Sequence, residues 1–184
     1  MSQITKYALA NSLKKQLASK PLDKITINDI TDDCGINRMT FYYHFKDIYD
    51  LLEWYFLVEG EKILKDKKSY FTWQEGFLAL LVNMKENKSF IINVYHSIRK
   101  EYLENYIYNW TYSLLYDVIV EQSATMTIKD EDKKFVANFY KYAFAGLVFD
   151  WVKTNMREEP EELINKLSTL MDKTLIHSLE NFKF

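Results

Sequence analysis

Glycine and proline are scarce in this 184-residue chain, which has 4 Gly and 2 Pro. A β-sandwich or an α/β fold turns often and uses both residues at its turns, so the shortage points to long helices with few connections. Cys34 is the only cysteine, which excludes an intrachain disulfide and fits a reducing cytosol. The 3 histidines, His44, His96 and His177, lie far apart in sequence, so no metal site is expected. No apolar run approaches the roughly 18–20 residues of a membrane span; the longest, Ile107 to Val120, is interrupted by Asn109 and Asp117. The start, Met1 to Lys6, has no basic stretch leading into an apolar core, so no secretory signal is expected. There is no G-x-S-x-G elbow, no Walker loop and no G-x-G-x-x-G turn. No acid/base or nucleophile constellation stands out either, so neither an enzyme nor a cofactor is expected. A strong excess of one charge is also missing: the formal net charge is −2. Residues 1–50 carry seven Lys/Arg against six Asp/Glu, a weak bias toward a basic N-terminal part.

Hydrophobic residues make up 48% of the chain and charged residues 27%, which is the balance of a globular protein. Its length allows one good-sized domain, or a small one beside a larger one. Aromatic content is high at 16%. Helical periodicity runs through nearly all of the chain. Leu9, Leu13 and Leu17 predict a first helix over 2–19, which Pro21 ends. Thr26 and Asp29 form a capping-box pair for a short second helix that Gly35 stops. Asn37 is a good cap for a third, ending near Tyr43 to Phe45. Ile48, Leu51, Leu52, Tyr55 and Phe56 predict a fourth over 47–65, and residues 65–69 read as a seam. Further helices are predicted over 72–86, a short stretch after a turn at Asn87 to Ser89, 99–125 and 130–155. A last one opens on Pro160, with Glu161 and Glu162 suited to its positive end. The expectation is an all-α chain of about nine helices.

The informative segment is Thr26 to Phe45: two helices of about two turns flanking a Gly turn. Ile27, Ile30, Ile36, Phe41 and Phe45 would lock them at a fixed angle and leave Asn37, Arg38, Met39, Thr40, Tyr42, Tyr43 and His44 on the outer face. That is the layout of a helix-turn-helix, whose second helix enters the DNA major groove. Arg38 suits a guanine edge and Asn37 an adenine edge or a helix cap. Met39 and Thr40 suit base edges or a thymine methyl. Tyr42, Tyr43, His44 and Lys46 are better suited to phosphates, as is Thr26 at a helix N-terminus. Cys34, in the turn, reads as a packing residue rather than a redox switch.

The run from Thr26 to Leu52 resembles the TetR family of bacterial regulators. Thr26, Ile30, Gly35, Ile36, Thr40, Phe41, Tyr42, His44, Phe45, Lys46, Asp47 and Leu51 fall in register with that family's reading head. Asn37 replaces the usual Ser or Thr, and Ile48-Tyr49 stands where the family often has a Lys followed by an acidic residue. Phe144 to Met156, then Pro160 to Leu163, resembles the family's closing stretch, although Asn155-Met156 lacks the usual Gly. The stretch Ser69 to Gln74 resembles the branch that contains activators of dihydroxyacetone-kinase operons, which does not decide the sign of regulation.

The resemblance implies a DNA-binding region over 1–66, with its three-helix head, and a C-terminal dimerisation and effector domain over 67–184. It also implies a homodimer in the cytoplasm that binds a palindromic DNA operator. The expected action is repression relieved by a small ligand. The alternative is a regulator, of either sign, whose C-terminal domain binds a partner protein. Tyr102, Tyr106 and Trp110, on a Tyr-rich helix, are the candidates for lining a ligand cavity. Gly146, Trp151, Leu163, Leu167, Leu170 and Thr174 are the candidates for dimerisation, with intrachain packing as the competing use.

Overall fold

The computed structural model describes residues 2–65, 67, 69–97 and 101–183. Among them are nine α-helices and no strand. In chain order they are α1 (Ser2–Leu17), α2 (Ile27–Cys34), α3 (Arg38–His44), α4 (Ile48–Leu64), α5 (Trp73–Glu86), α6 (Lys88–Tyr95), α7 (Glu101–Gln122), α8 (Asp130–Lys153) and α9 (Pro160–Glu180). The expected all-α architecture is therefore found. A 3-10 turn over Leu22–Lys24, which periodicity did not predict, follows Pro21 and buries Leu22. Residues 66 and 68 of the expected seam, and Arg99 as a helix start, lie outside the described residues.

The chain divides into two compact units, one of Met1–Glu59 with Asn87–Tyr106 and the other of Gly60–Glu86 with Ile107–Phe184. In the first, Leu9, Leu13 and Leu17 of α1 are fully buried, as their four-residue spacing requires. The Ser12 hydroxyl, also buried, donates to the Ile30 carbonyl at 3.3 Å and ties α1 to α2. The α6 helix belongs to this unit, although it lies far along the chain from the head. Its Phe90 ring packs on Tyr55 at 5.5 Å and on Phe56 at 5.7 Å, and the Asn93 amide donates to the Leu17 carbonyl at the end of α1.

In the second unit, Trp73 is fully buried at the start of α5 and meets Phe144 of α8, which Phe77 also meets edge to face. Trp110 of α7 packs so closely on Gly60 that a Cβ there would lie 2.3 Å from the indole. The α8–α9 connection turns through Asn155 (φ 62°) and Met156 (φ 51°), both left-handed. Trp151 closes this turn by donating its indole N–H to the Glu158 carbonyl at 2.8 Å.

Candidate nucleic-acid interface

The helix-turn-helix is built by local capping. Thr26 caps α2 in a complete box: its hydroxyl oxygen accepts from the Asp29 amide at 3.1 Å, and the Asp29 carboxylate accepts from the Thr26 amide at 2.7 Å. The same carboxylate accepts from the Thr26 hydroxyl at 2.8 Å. These bonds, the Thr26 amide above all, hold the Asp29 carboxyl below the usual carboxylate range. Gly35, at φ +64°, ends α2 in a left-handed turn, and the Ile36 amide donates back to the Thr31 carbonyl at 3.0 Å. Asn37 then caps α3, its side-chain oxygen accepting from the Met39 amide at 2.8 Å. At the far end, Asp47 caps α4 by accepting from the Tyr49 and Asp50 amides, while Asp50 accepts from the Lys46 amide.

Packing sets which face of α3 looks out. Phe41 and Ile30 are fully buried, Phe45 nearly so, and Ile27 and Ile36 are only half-buried. Opposite them Met39 is 73% exposed and Tyr43 83%. Asn37, Arg38, Tyr42 and Lys46 are exposed too, and Thr40 and His44 half-exposed. Large apolar surfaces held out in water on a short rigid helix mark a surface that meets something else.

Besides the Asn37 cap, other candidate side chains are already engaged. The Arg38 guanidinium donates to the Tyr42 hydroxyl at 2.9 Å and lies 5.5 Å from the centre of its ring. Thr26 has both its amide and its hydroxyl proton on Asp29, so a phosphate at the start of α2 would have to displace a carboxylate. Asp33, an acidic residue on this head, is paired with Lys15 of α1, whose hydrogen bond lowers the carboxyl's pKa and raises the ammonium's. Cys34 donates its thiol to the Ala8 carbonyl at 3.4 Å, and burial pushes that thiol's pKa up, away from the reactive thiolate.

The structure also adds residues that periodicity did not single out. A shallow concavity of about 330 Å³ is lined by Thr26, Ile27, Asn28 and Arg38, which brings exposed Asn28 of α2 beside the base-reading candidate Arg38. Lys6 lies over the Phe45 and Trp54 rings at 5.3 and 5.5 Å, a cation held against the end of α3. Asn28 falls on the outer face of a short helix, a signal that was present in the sequence. Lys6 depends on a long-range contact and had none.

The remaining candidates are placed as follows. Tyr102 stacks on Tyr49 at 5.1 Å, and Tyr106, buried, stacks on Phe56 at 4.4 Å. Burial pushes the Tyr106 phenol well up, so it stays protonated. Trp110 is buried over Gly60. Trp151, Leu163 and Leu167 are buried within the chain, whereas Leu170 is 64% exposed, Thr174 is exposed, and Gly146 has open space where a Cβ would stand. Phe135 and Phe139 (63% and 64% exposed) and Tyr142 form an outward apolar stripe along α8, and Leu147 is exposed on another side of the same helix. Among the described residues no group of three or more His, Cys, Asp or Glu is arranged to hold a metal, and no helix is long and apolar enough to cross a membrane.

Comparison with known proteins agrees with this geometry. Residues 12–54 match the profile of bacterial regulatory proteins of the tetR family, and residues 72–173 match that of a transcriptional regulator C-terminal region. The HTH-type dhaKLM operon transcriptional activator DhaS of Lactococcus lactis subsp. lactis is 28% identical over 148 residues, covering 79% of this chain and 78% of that protein. Among solved structures, the dihydroxyacetone kinase operon activator DhaS superposes with a TM-score of 0.74 at 24% identity, covering 98% of this chain and 99% of its own. The TetR family repressor AlkX from Dietzia sp., implicated in biodegradation of n-alkanes, superposes at 0.58 with 16% identity, covering 96% and 98%. With a capped, outward-facing α3 at its N-terminus and family matches to both parts of its length, the chain belongs to the TetR family of transcriptional regulators.

Proposed function

We propose that the protein acts as a homodimer that places one α3 helix in each of two successive major grooves of a palindromic operator. The observation that carries this is α3 itself, fixed from behind by Phe41 and Phe45 while Arg38, Met39 and Tyr43 stand out in water. Asn37, Arg38, Met39 and Thr40 are assigned to base edges. Tyr42, Tyr43, His44 and Lys46 are assigned to phosphates, and Thr26 to a phosphate once Asp29 gives way. Residues 1–66 form the DNA-binding region and 67–184 the dimerisation and effector region. Catalysis plays no part, and the site of action is the cytoplasm, where the operator is.

The dimer reading is supported by the α8 stripe, Phe135, Phe139 and Tyr142, with Leu170 and Thr174 of α9. Gly146, open on the same helix, would let a partner helix approach closely. Trp151, Leu163 and Leu167 would support that face from within. Effector sensing rests on the family. The stacking of Tyr106 on Phe56, and the packing of Trp110 over Gly60, support structural roles for those two rings.

The test is selection of duplexes from a random library followed by footprinting. The expected result is a two-fold symmetric site whose halves lie about 10 base pairs apart or a multiple of that, with affinity falling as salt rises. A protein that enriches no duplex, or binds without salt dependence, overturns the proposal. For the direction of regulation we retain repression relieved by a small ligand. Activation through a protein co-regulator is the second reading, favoured by the activators among the relatives. A reporter gene placed behind the selected site separates them, since expression falls with added protein in the first case and rises in the second.

A further inference from the structure

The Tyr42 hydroxyl points at Arg38 on the preceding turn of the same helix. Its oxygen accepts from an Arg38 guanidinium nitrogen at 2.9 Å, and the guanidinium also lies 5.5 Å from the ring centre. The ring, 43% exposed, is held from one side. It stands edge to face with Phe41 at 5.8 Å, an angle of 87°, and Phe41 is fully buried beneath the head. A long flexible side chain on a helix surface normally samples many rotamers, and ordering it on DNA opposes binding. Here one hydrogen bond and one ring face hold it before DNA arrives.

We propose that Tyr42 is a positioning residue for Arg38: it sets the guanidinium's direction, and so sharpens the base choice that Arg38 makes, in addition to any phosphate bond of its own. The chemistry allows both roles at once. The phenol oxygen accepts a hydrogen bond from the guanidinium while the phenol proton is left to donate. An arginine has several N–H groups in a planar fork, so one bond to Tyr42 leaves others for a guanine edge. The inference rests on the DNA-binding reading above and assigns a division of labour within it.

The experiment compares the wild type with Tyr42→Phe, Arg38→Ala and the double variant on duplexes selected by the wild-type protein. Each base pair of the half-site is changed in turn. Tyr42→Phe keeps the ring and its packing on Phe41, so the head should fold, and thermal unfolding checks this. Arg38→Ala is expected to abolish discrimination at one base pair. Tyr42→Phe is expected to weaken discrimination at that same base pair by about 2- to 10-fold, the usual effect of one hydrogen bond. In the Arg38→Ala background it should change no base preference. A role in packing or in phosphate binding alone would lower affinity equally on every duplex. Such a uniform loss overturns the proposal while leaving the DNA-binding reading intact, as does an Arg38→Ala variant that keeps every base preference. Failure of the wild type to select any duplex overturns the DNA-binding reading and the proposal together.

Discussion

At Arg38 the consequences are easiest to state. Its guanidinium is exposed and pre-ordered, so Arg38→Ala is expected to cost about 1–3 kcal/mol of specific affinity; an unchanged footprint and affinity on the selected duplex would remove it from the reading face. Thr26 and Asp29 act on stability instead. Hydrogen bonds from Thr26 favour the charged Asp29 carboxylate, so the box contributes fully above the ordinary carboxyl pKa of 3.8 and fades as pH falls through the lower folded value. The stability gap between wild type and Asp29→Asn should therefore narrow below about pH 4, which chemical denaturation at a series of pH values would reveal. The sequence spacing already identified the box, Gly35 and the Asn37 cap, because caps and left-handed turns are decided within four residues. It did not reveal that Asp29 takes both Thr26 donors, nor that Arg38 leans on Tyr42. Those depend on rotamers, which residue spacing leaves open.

Helices were legible where an apolar stripe or a breaker marked them, and most predicted ends lie within about two residues of those observed. What spacing could not sort was the destination of each stripe. Leu163, Leu167 and Leu170 look alike in sequence, yet the first two are buried within the chain and the third is 64% exposed. Burial by one's own chain and burial by another copy obey the same periodicity. The inclusion of α6 in the head's compact unit was also hidden, since the meeting of Phe90 with Tyr55 and Phe56 leaves no local signature. Two substitutions test how tightly the helices are set. Alanine is the better helix former than Gly by up to about 1 kcal/mol. At Gly60, however, the added Cβ would meet the Trp110 ring at 2.3 Å. Overpacking of about 1–3 kcal/mol should win, so Gly60→Ala should lower the denaturation midpoint. Asn155→Gly should do the reverse. It relieves a left-handed non-glycine residue at φ 62° on an exposed turn, and a gain of a few tenths to about 1 kcal/mol is expected in the same measurement.

The whole molecule carries little net charge, and its α8 surface is unusually apolar. Phe135, Phe139 and Tyr142 lie on one face of a single helix, with Gly146 among them. In an isolated chain Gly146→Leu would fill empty space and favour the helix, so it should do no harm. In the proposed dimer it would hold two helices apart. Sedimentation velocity at micromolar concentration should then show the wild type as a dimer and Gly146→Leu shifted toward monomer; a variant as dimeric as the wild type would exclude this face. The same stripe bears on how the protein responds to its own abundance. In the proposed dimer, one near-neutral head would grip DNA weakly and two joined heads would grip it well. While free chains are mostly single, the amount of competent reader grows with the square of their number, so a twofold rise in synthesis yields about a fourfold rise in operator filling. If α8 joins two copies as proposed, its exposed row of aromatic rings would set a dosage threshold, below which the operator stays nearly empty and above which it fills over a narrow range of expression.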